Sequence, residues 1–150
     1  ALVLRAEGAA PGPWSLLELQ TVDRTGEPST ATVRLRHSDG RTADYQASGD
    51  GPVDATYKAL AHATGVSVTV QKFEVHAVTL GEDAQGEAVI YVLHDGRSYR
   101  GSSVSTNIIE AGAQALLEVI NRIEQSRNSA ARQLSLRRSE AAQRTVPSAV

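Results

Sequence analysis

The feature that most constrains this chain is an internal repeat. Shifted by 56 positions, residues 17–60 fall on residues 73–116 without a gap. Leu17-Glu18-Leu19-Gln20-Thr21-Val22 lands on Phe73-Glu74-Val75-His76-Ala77-Val78, Asp39-Gly40-Arg41 on Asp95-Gly96-Arg97, and Ala59-Leu60 on Ala115-Leu116. Nine positions are identical, and most others keep their polar or apolar character. A sequence repeated at this length encodes one supersecondary unit twice, so the two copies must fold alike.

Each copy reads as three strands and a helix. In the first, Leu17 and Leu19 alternate with Glu18 and Gln20, the period-two pattern of a strand with one buried face. Thr25-Gly26-Glu27-Pro28 breaks the run, and Thr32–Arg36 alternates again with Val33 and Leu35 inward. Asp39-Gly40 predicts a tight I′ hairpin, which needs positive φ at its central residues, and Arg41–Ser48 returns as the third strand. In the second copy Phe73, Val75 and Ala77 alternate inward, and Asp83-Ala84-Gln85-Gly86 is expected to turn. Glu87–Leu93 is apolar on both faces, as a central strand would be, and Arg97–Val104 follows the Asp95-Gly96 turn.

The helix starts are equally readable. Asp50-Gly51-Pro52 places Asp or Gly near the N-cap and proline at the first helical position, where a missing N–H costs nothing. Val53, Tyr57, Leu60 and Ala61 form an apolar stripe, and Gly65 ends the helix. In the second copy Thr106 or Asn107 caps, with Glu110 three residues beyond Asn107, and Ile109, Ala113, Leu116, Leu117, Ile120 and Ile123 make the stripe. The expected architecture is therefore α+β: two βββα units, each a three-stranded antiparallel sheet with one helix. Unit one runs over 14–65 and unit two over 66–123. Residues 1–13, with Gly8, Pro11, Gly12 and Pro13, read as a linker, and 124–150, with five arginines and no aromatic residue, as a solvated C-terminal tail with at most a loose helix around Ala130, Ala131 and Leu134. The chain has no methionine, even at position 1, as expected of a piece of a longer protein.

Composition narrows the function. With 15 basic and 17 acidic side chains the net charge is -2, which argues against a nucleic-acid partner held by bulk electrostatics. No apolar run approaches the ~20 residues of a membrane helix, so no membrane partner is expected. The absence of cysteine removes thiolate zinc sites and thiol nucleophiles. His37, His62, His76 and His94 are scattered and form no metal-binding pair, so neither a metal site nor a catalytic residue is expected in this chain. What stands out is the pair of helix starts, Gly49-Asp50-Gly51-Pro52-Val53-Asp54-Ala55 and Ser105-Thr106-Asn107-Ile108-Ile109-Glu110-Ala111. Unpaired N–H groups and the positive end of the helix dipole suit a carboxylate. Small or branched apolar residues lie beside them, and Asp50, Asp54 or Glu110 is placed to meet an ammonium. Together these corners suit an amino acid, although ordinary capping explains them as well.

At these residues the chain resembles the C-terminal regulatory (dimerisation) domain of 2-isopropylmalate synthase. The stretch 49–55 is similar to that family's G-[ND]-G-P-V-D-A motif. Asp83–Glu87, Gly101, Ser105–Ala111 and Asn121-Arg122-Ile123 continue the likeness, with Asn107 standing where many members have Asp. The resemblance implies two βββα units about a pseudo-twofold axis, a homodimer, and L-leucine bound near the helix starts as feedback inhibitor. It also implies an upstream TIM barrel, absent here, that joins acetyl-CoA to 2-oxoisovalerate with a divalent metal, in the cytoplasm; this chain itself is expected to hold no cofactor. Carried over, the effector-binding residues are Gly49, Asp50, Gly51, Val53, Asp54 and Ala55 from unit one, and Ile108, Ile109 and Ala111 from unit two. The isobutyl group is expected in a hole beside Ala55 and Ala111. Two alternatives stay open: an isoleucine-sensing domain of the related citramalate synthase, and a dimerisation module without an effector.

Overall fold

A computed structural model describes residues 2–5, 12–80 and 83–144. The elements, in order, are β1 (Leu2–Arg5), β2 (Trp14–Val22), β3 (Ser29–His37), β4 (Thr42–Gly49), α1 (Pro52–Thr64), β5 (Thr69–Leu80), β6 (Asp83–His94), β7 (Arg97–Ser105) and α2 (Ile108–Arg144). Two antiparallel sheets result, β1-β2-β3-β4 and β5-β6-β7. Each three-stranded unit, β2–β4 and β5–β7, is followed by its helix, and α1 and α2 begin one repeat length apart. The fold is α+β, built from two βββα units. β6 is the central strand of its sheet, with Ala88, Val89, Ile90 and Val92 all buried.

Both units share one core. Leu19, Val33, Leu35 and Leu60 of the first pack in the same cluster as Ile90, Leu116, Leu117, Ile120 and Ile123 of the second. Each such side chain contributes about 1.5–3 kcal/mol by leaving water. A buried amide sets the relation of the units: Trp14 N–H donates to Asn121 Oδ1 at 2.8 Å, and Asn121 Nδ2 donates to Trp14 O at 3.0 Å. α2 thus reads the first residue of β2, and on its next turn Glu124 Oε2 meets His37 Nε2 at 3.0 Å.

Five local expectations are corrected. Leu2–Arg5, expected within a linker, pairs antiparallel with Glu18–Thr21 as an added edge strand. The inward phase expected of Leu17 is broken by a β-bulge between Leu16 and Glu18, which turns Leu16 into the core and leaves Leu17 37% exposed. Asp39-Gly40 is not a two-residue I′ turn. Its loop is Ser38-Asp39-Gly40, closed by His37 N–H to Arg41 O at 2.8 Å, with positive φ only at Gly40 (95°). Asp95-Gly96, with φ of 48° and 77°, is the true two-residue turn. The turn expected at 83–86 is strand, because β5 and β6 stay paired out to Leu80 and Asp83; the residues between them lie outside the described set. Finally, the last helix does not stop at Ile123 but runs on to Arg144, its side chains exposed from Gln125 to Ala141.

Candidate functional site

The two helix starts sit at equivalent places. Their first intrahelical bonds, Ala55 N–H to Gly51 O at 2.9 Å and Ala111 N–H to Asn107 O at 3.0 Å, are one repeat length apart. The termini are finished differently. In α1 the N-cap is Gly51, in extended backbone (φ -158°, ψ 174°), with Pro52 next and no side-chain cap. Among the described residues the first-turn N–H groups of Val53 and Asp54 therefore have no side-chain acceptor. In α2 Asn107 Oδ1 accepts from Ile109 N–H at 2.9 Å and Glu110 N–H at 3.1 Å. Glu110 does not close a capping box with Asn107. Its carboxylate takes the Ser105 hydroxyl at 3.3 Å, and Ser105 Oγ accepts the Asn107 N–H at 3.1 Å.

Around α1 the chain is tightly drawn. A Cβ on Gly49 would stand 2.5 Å from Asp54 Oδ2 and 2.6 Å from Ala55 N, so β4 can meet the helix start only with glycine there. Asp54 Oδ2 accepts from Asp50 N–H at 3.0 Å and from Lys58 Nζ at 3.0 Å. The Asp50 N–H, then the Lys58 ammonium, hold the Asp54 carboxyl below the ordinary aspartate value. Asp54 is thus engaged internally. The Asp50 side chain is exposed and its carboxylate makes no ion pair among the described residues, which leaves it the freer acid for an ammonium.

The remaining expected residues divide between core and surface. Ala55 and Ala111 are both 0% exposed and belong to the shared core, so the two methyl groups face the interior. Val53, Ile108 and Ile109 are half-buried against the core edge. Ile108 lies over Gly86 of β6, where a Cβ would come within 2.9 Å of its Cδ1. That contact explains a glycine within a paired strand. Beyond this point the β5–β6 hairpin overruns α2, leaving Ala77 exposed and Val75 51% exposed on the helix side of the sheet. Ile108, Gly86 and Val75 form an apolar corner beside the capped start.

The starts also share a crossing. Tyr57 of α1 packs edge-to-face on Phe73 of β5 at 6.0 Å, and its hydroxyl lies 3.2 Å from where a Cβ on Gly112 of α2 would stand. Tyr57 and Gly112 are five and four residues into their helices, so each start is about 6–8 Å along its axis from this contact. The Tyr57 hydroxyl is buried and unpartnered among the described residues, and burial pushes its phenol up from its ordinary value. This crossing was not among the site residues expected from sequence. The tyrosine lay on the apolar stripe and read as core, and no pattern along one helix names its partner on another.

Comparison with known proteins settles the family. The family model for the LeuA allosteric (dimerisation) domain matches residues 1–124. The chain belongs to this family. Its relatives named 2-isopropylmalate synthase include those of Xanthomonas campestris pv. campestris (strain B100), 44% identical over 111 residues, and Stenotrophomonas maltophilia (strain K279a), 43% identical over 115 residues. The matches cover 74% and 77% of this chain but only 21% and 22% of those relatives, so the chain spans about a fifth of their length. The chain is a LeuA regulatory domain of the 2-isopropylmalate synthase type. Among its described residues no cluster of three metal-type side chains occurs, and no helix is long and apolar enough to cross a membrane.

Proposed function

We propose that this domain binds L-leucine at its helix starts, assembles as a homodimer, and transmits the binding to a catalytic barrel on the same polypeptide, where acetyl-CoA and 2-oxoisovalerate are joined. The observation that carries the leucine reading is the unlike finishing of two equivalent termini. The uncapped start of α1 supplies free N–H groups and the positive helix end for a carboxylate, with the Asp50 carboxylate at hand for the ammonium. The capped start of α2 supplies the apolar corner of Ile108, Gly86 and Val75 for a branched side chain. Ala55 and Ala111 then act beneath the site, as the packed floor that keeps both starts in place.

Exposed Val75 and Ala77 are the apolar surface on which a second copy would close, completing the corner from the other side. Inhibition follows if leucine prefers one arrangement of the dimer; a coupling of about 1–3 kcal/mol would be typical. The relatives are named 2-isopropylmalate synthase, the branch for which the resemblance implies leucine rather than isoleucine, and this supports the leucine reading. The test is calorimetric titration of the chain with L-leucine, L-isoleucine and D-leucine, with its mass in solution measured by light scattering. Saturable binding of L-leucine by a dimer is expected. Preference for L-isoleucine would reassign the effector, and a folded dimer without heat from either would leave association as the only function.

A further inference from the structure

We propose that the groove between the start of β7 and the middle of α2 is a second ligand site, one that binds a phosphate-bearing small molecule. It lies 14–25 residues into α2, about 20 Å or more along the helix from Ile108, and owes nothing to the leucine reading. It is a groove of about 530 Å³, open to solvent along its length.

The lining carries the argument. Arg122, Gln125, Ser126, Ser129 and Gln133 recur at spacings of three and four, so one helical face supplies them all. Arg97 and Tyr99 of β7 form the facing wall. Every lining residue except Ala130 bears a side-chain hydrogen-bond donor, and none bears a carboxylate, in a chain whose net charge is -2. The Arg97 side chain makes no hydrogen bond or ion pair among the described residues. Arg122 donates through Nη2 to the Arg100 carbonyl and is ion-paired with Glu118 Oε1 at 3.7 Å, which leaves its other N–H groups for the groove. Alongside the groove the wall is held in place where Arg127 Nη2 meets His94 Nε2 at 3.1 Å and His94 Nδ1 meets the Ser67 carbonyl at 2.6 Å.

The unpaired Arg97 guanidinium, the remaining N–H groups of Arg122 and a row of hydroxyl and amide donors match the several acceptor oxygens of a phosphate or diphosphate, which guanidinium groups bind in bidentate fashion. Four of the donors lie beyond residue 124, where the family match ends, so this site uses residues outside the shared domain.

The experiment is calorimetric titration of the whole chain with pyrophosphate at fixed ionic strength, repeated with inorganic phosphate and with adenosine diphosphate. Saturable pyrophosphate binding is expected, weakened about tenfold or more by Arg97→Gln and by Ser129→Asp, about 1.4 kcal/mol each. Both positions are exposed, so neither variant should change the melting temperature of the free chain. Tighter binding of adenosine diphosphate would make the ligand a nucleotide; equal binding of inorganic phosphate would make it the free ion. Either supports the site. Absence of saturable binding, the same heat from matched sodium chloride, or equal affinity in both variants would overturn it.

Discussion

The two units differ most at their equivalent helix starts. Both helices start one repeat length apart with the same backbone bond, yet one terminus is left open by Gly51-Pro52 and the other is closed by Asn107. The third strands differ in the same spirit. Tyr45 of β4 and Gly101 of β7 are equivalent by the repeat. Tyr45 stands 40% exposed and stacks on His62 of α1 at 4.8 Å, whereas at Gly101 a Cβ would come within 2.2 Å of the Ala115 carbonyl. At the helix starts unit two is thus closed and unit one keeps spare donors, and at this third-strand position unit two is the more closely packed. Duplication supplies two equivalent frames, and small changes at the caps and contacts divide the labour between them.

That division is open to attack, beginning with the largest effect. Gly101→Val should destabilise the fold by about 3 kcal/mol or more, because backbone rather than a flexible side chain blocks the new atoms. Tyr45→Ala, its counterpart, should cost about 1 kcal/mol, the worth of a part-exposed aromatic contact. Urea denaturation of the two variants reads the difference directly. Asn107→Ala removes the α2 cap and should cost about 1 kcal/mol by the same measurement.

A pH series probes unit one. The fold lowers the pKa of Asp54, so its stabilising contribution is present above the ordinary value of 3.8 and is lost as pH falls through the folded value. Asp54→Asn should therefore melt below the parent at neutral pH, and the gap should close on acidification below 3.8. A gap that stays constant would mean that charge is not what Asp54 contributes. The smallest stability effect is expected from Gly51→Ser. It places a capping hydroxyl where backbone is extended and a Cβ meets nothing, for a gain of a few tenths of a kcal/mol. In the same variant the donors of α1 are occupied, so leucine binding should weaken.

The repeat, with its alternation and helix-start chemistry, carried nearly all of the fold, because period and capping are local signals. Asn107, Pro52 and Gly65 each act as their residue types imply. Apart from the exposed run of α2 beyond Glu124, the misreadings share a source, a neighbour remote in sequence. The bulge at Leu17 is a property of the β2–β3 pairing, and Gly86 sits in a strand because Ile108 crosses it. Similarly, Asp39-Gly40 and Asp95-Gly96 are the same dipeptide in loops of three and two residues, decided by the register of the flanking strands. At the candidate site the residue types were visible at once. That Ala55 and Ala111 lie buried beneath it, and that Tyr57 and Gly112 join the helices, depends on how the units pack.

In the proposed function, leucine takes its carboxylate contact from the open terminus and its apolar contact beside the closed one. Mapping of backbone amide shifts during titration with L-leucine tests this most directly. The largest movements are expected at Gly51, Val53 and Asp54, a second group at Val75, Gly86 and Ile108, and little at Ile109 and Glu110, whose N–H groups Asn107 already holds. Saturable binding with the α1 start unmoved would contradict it.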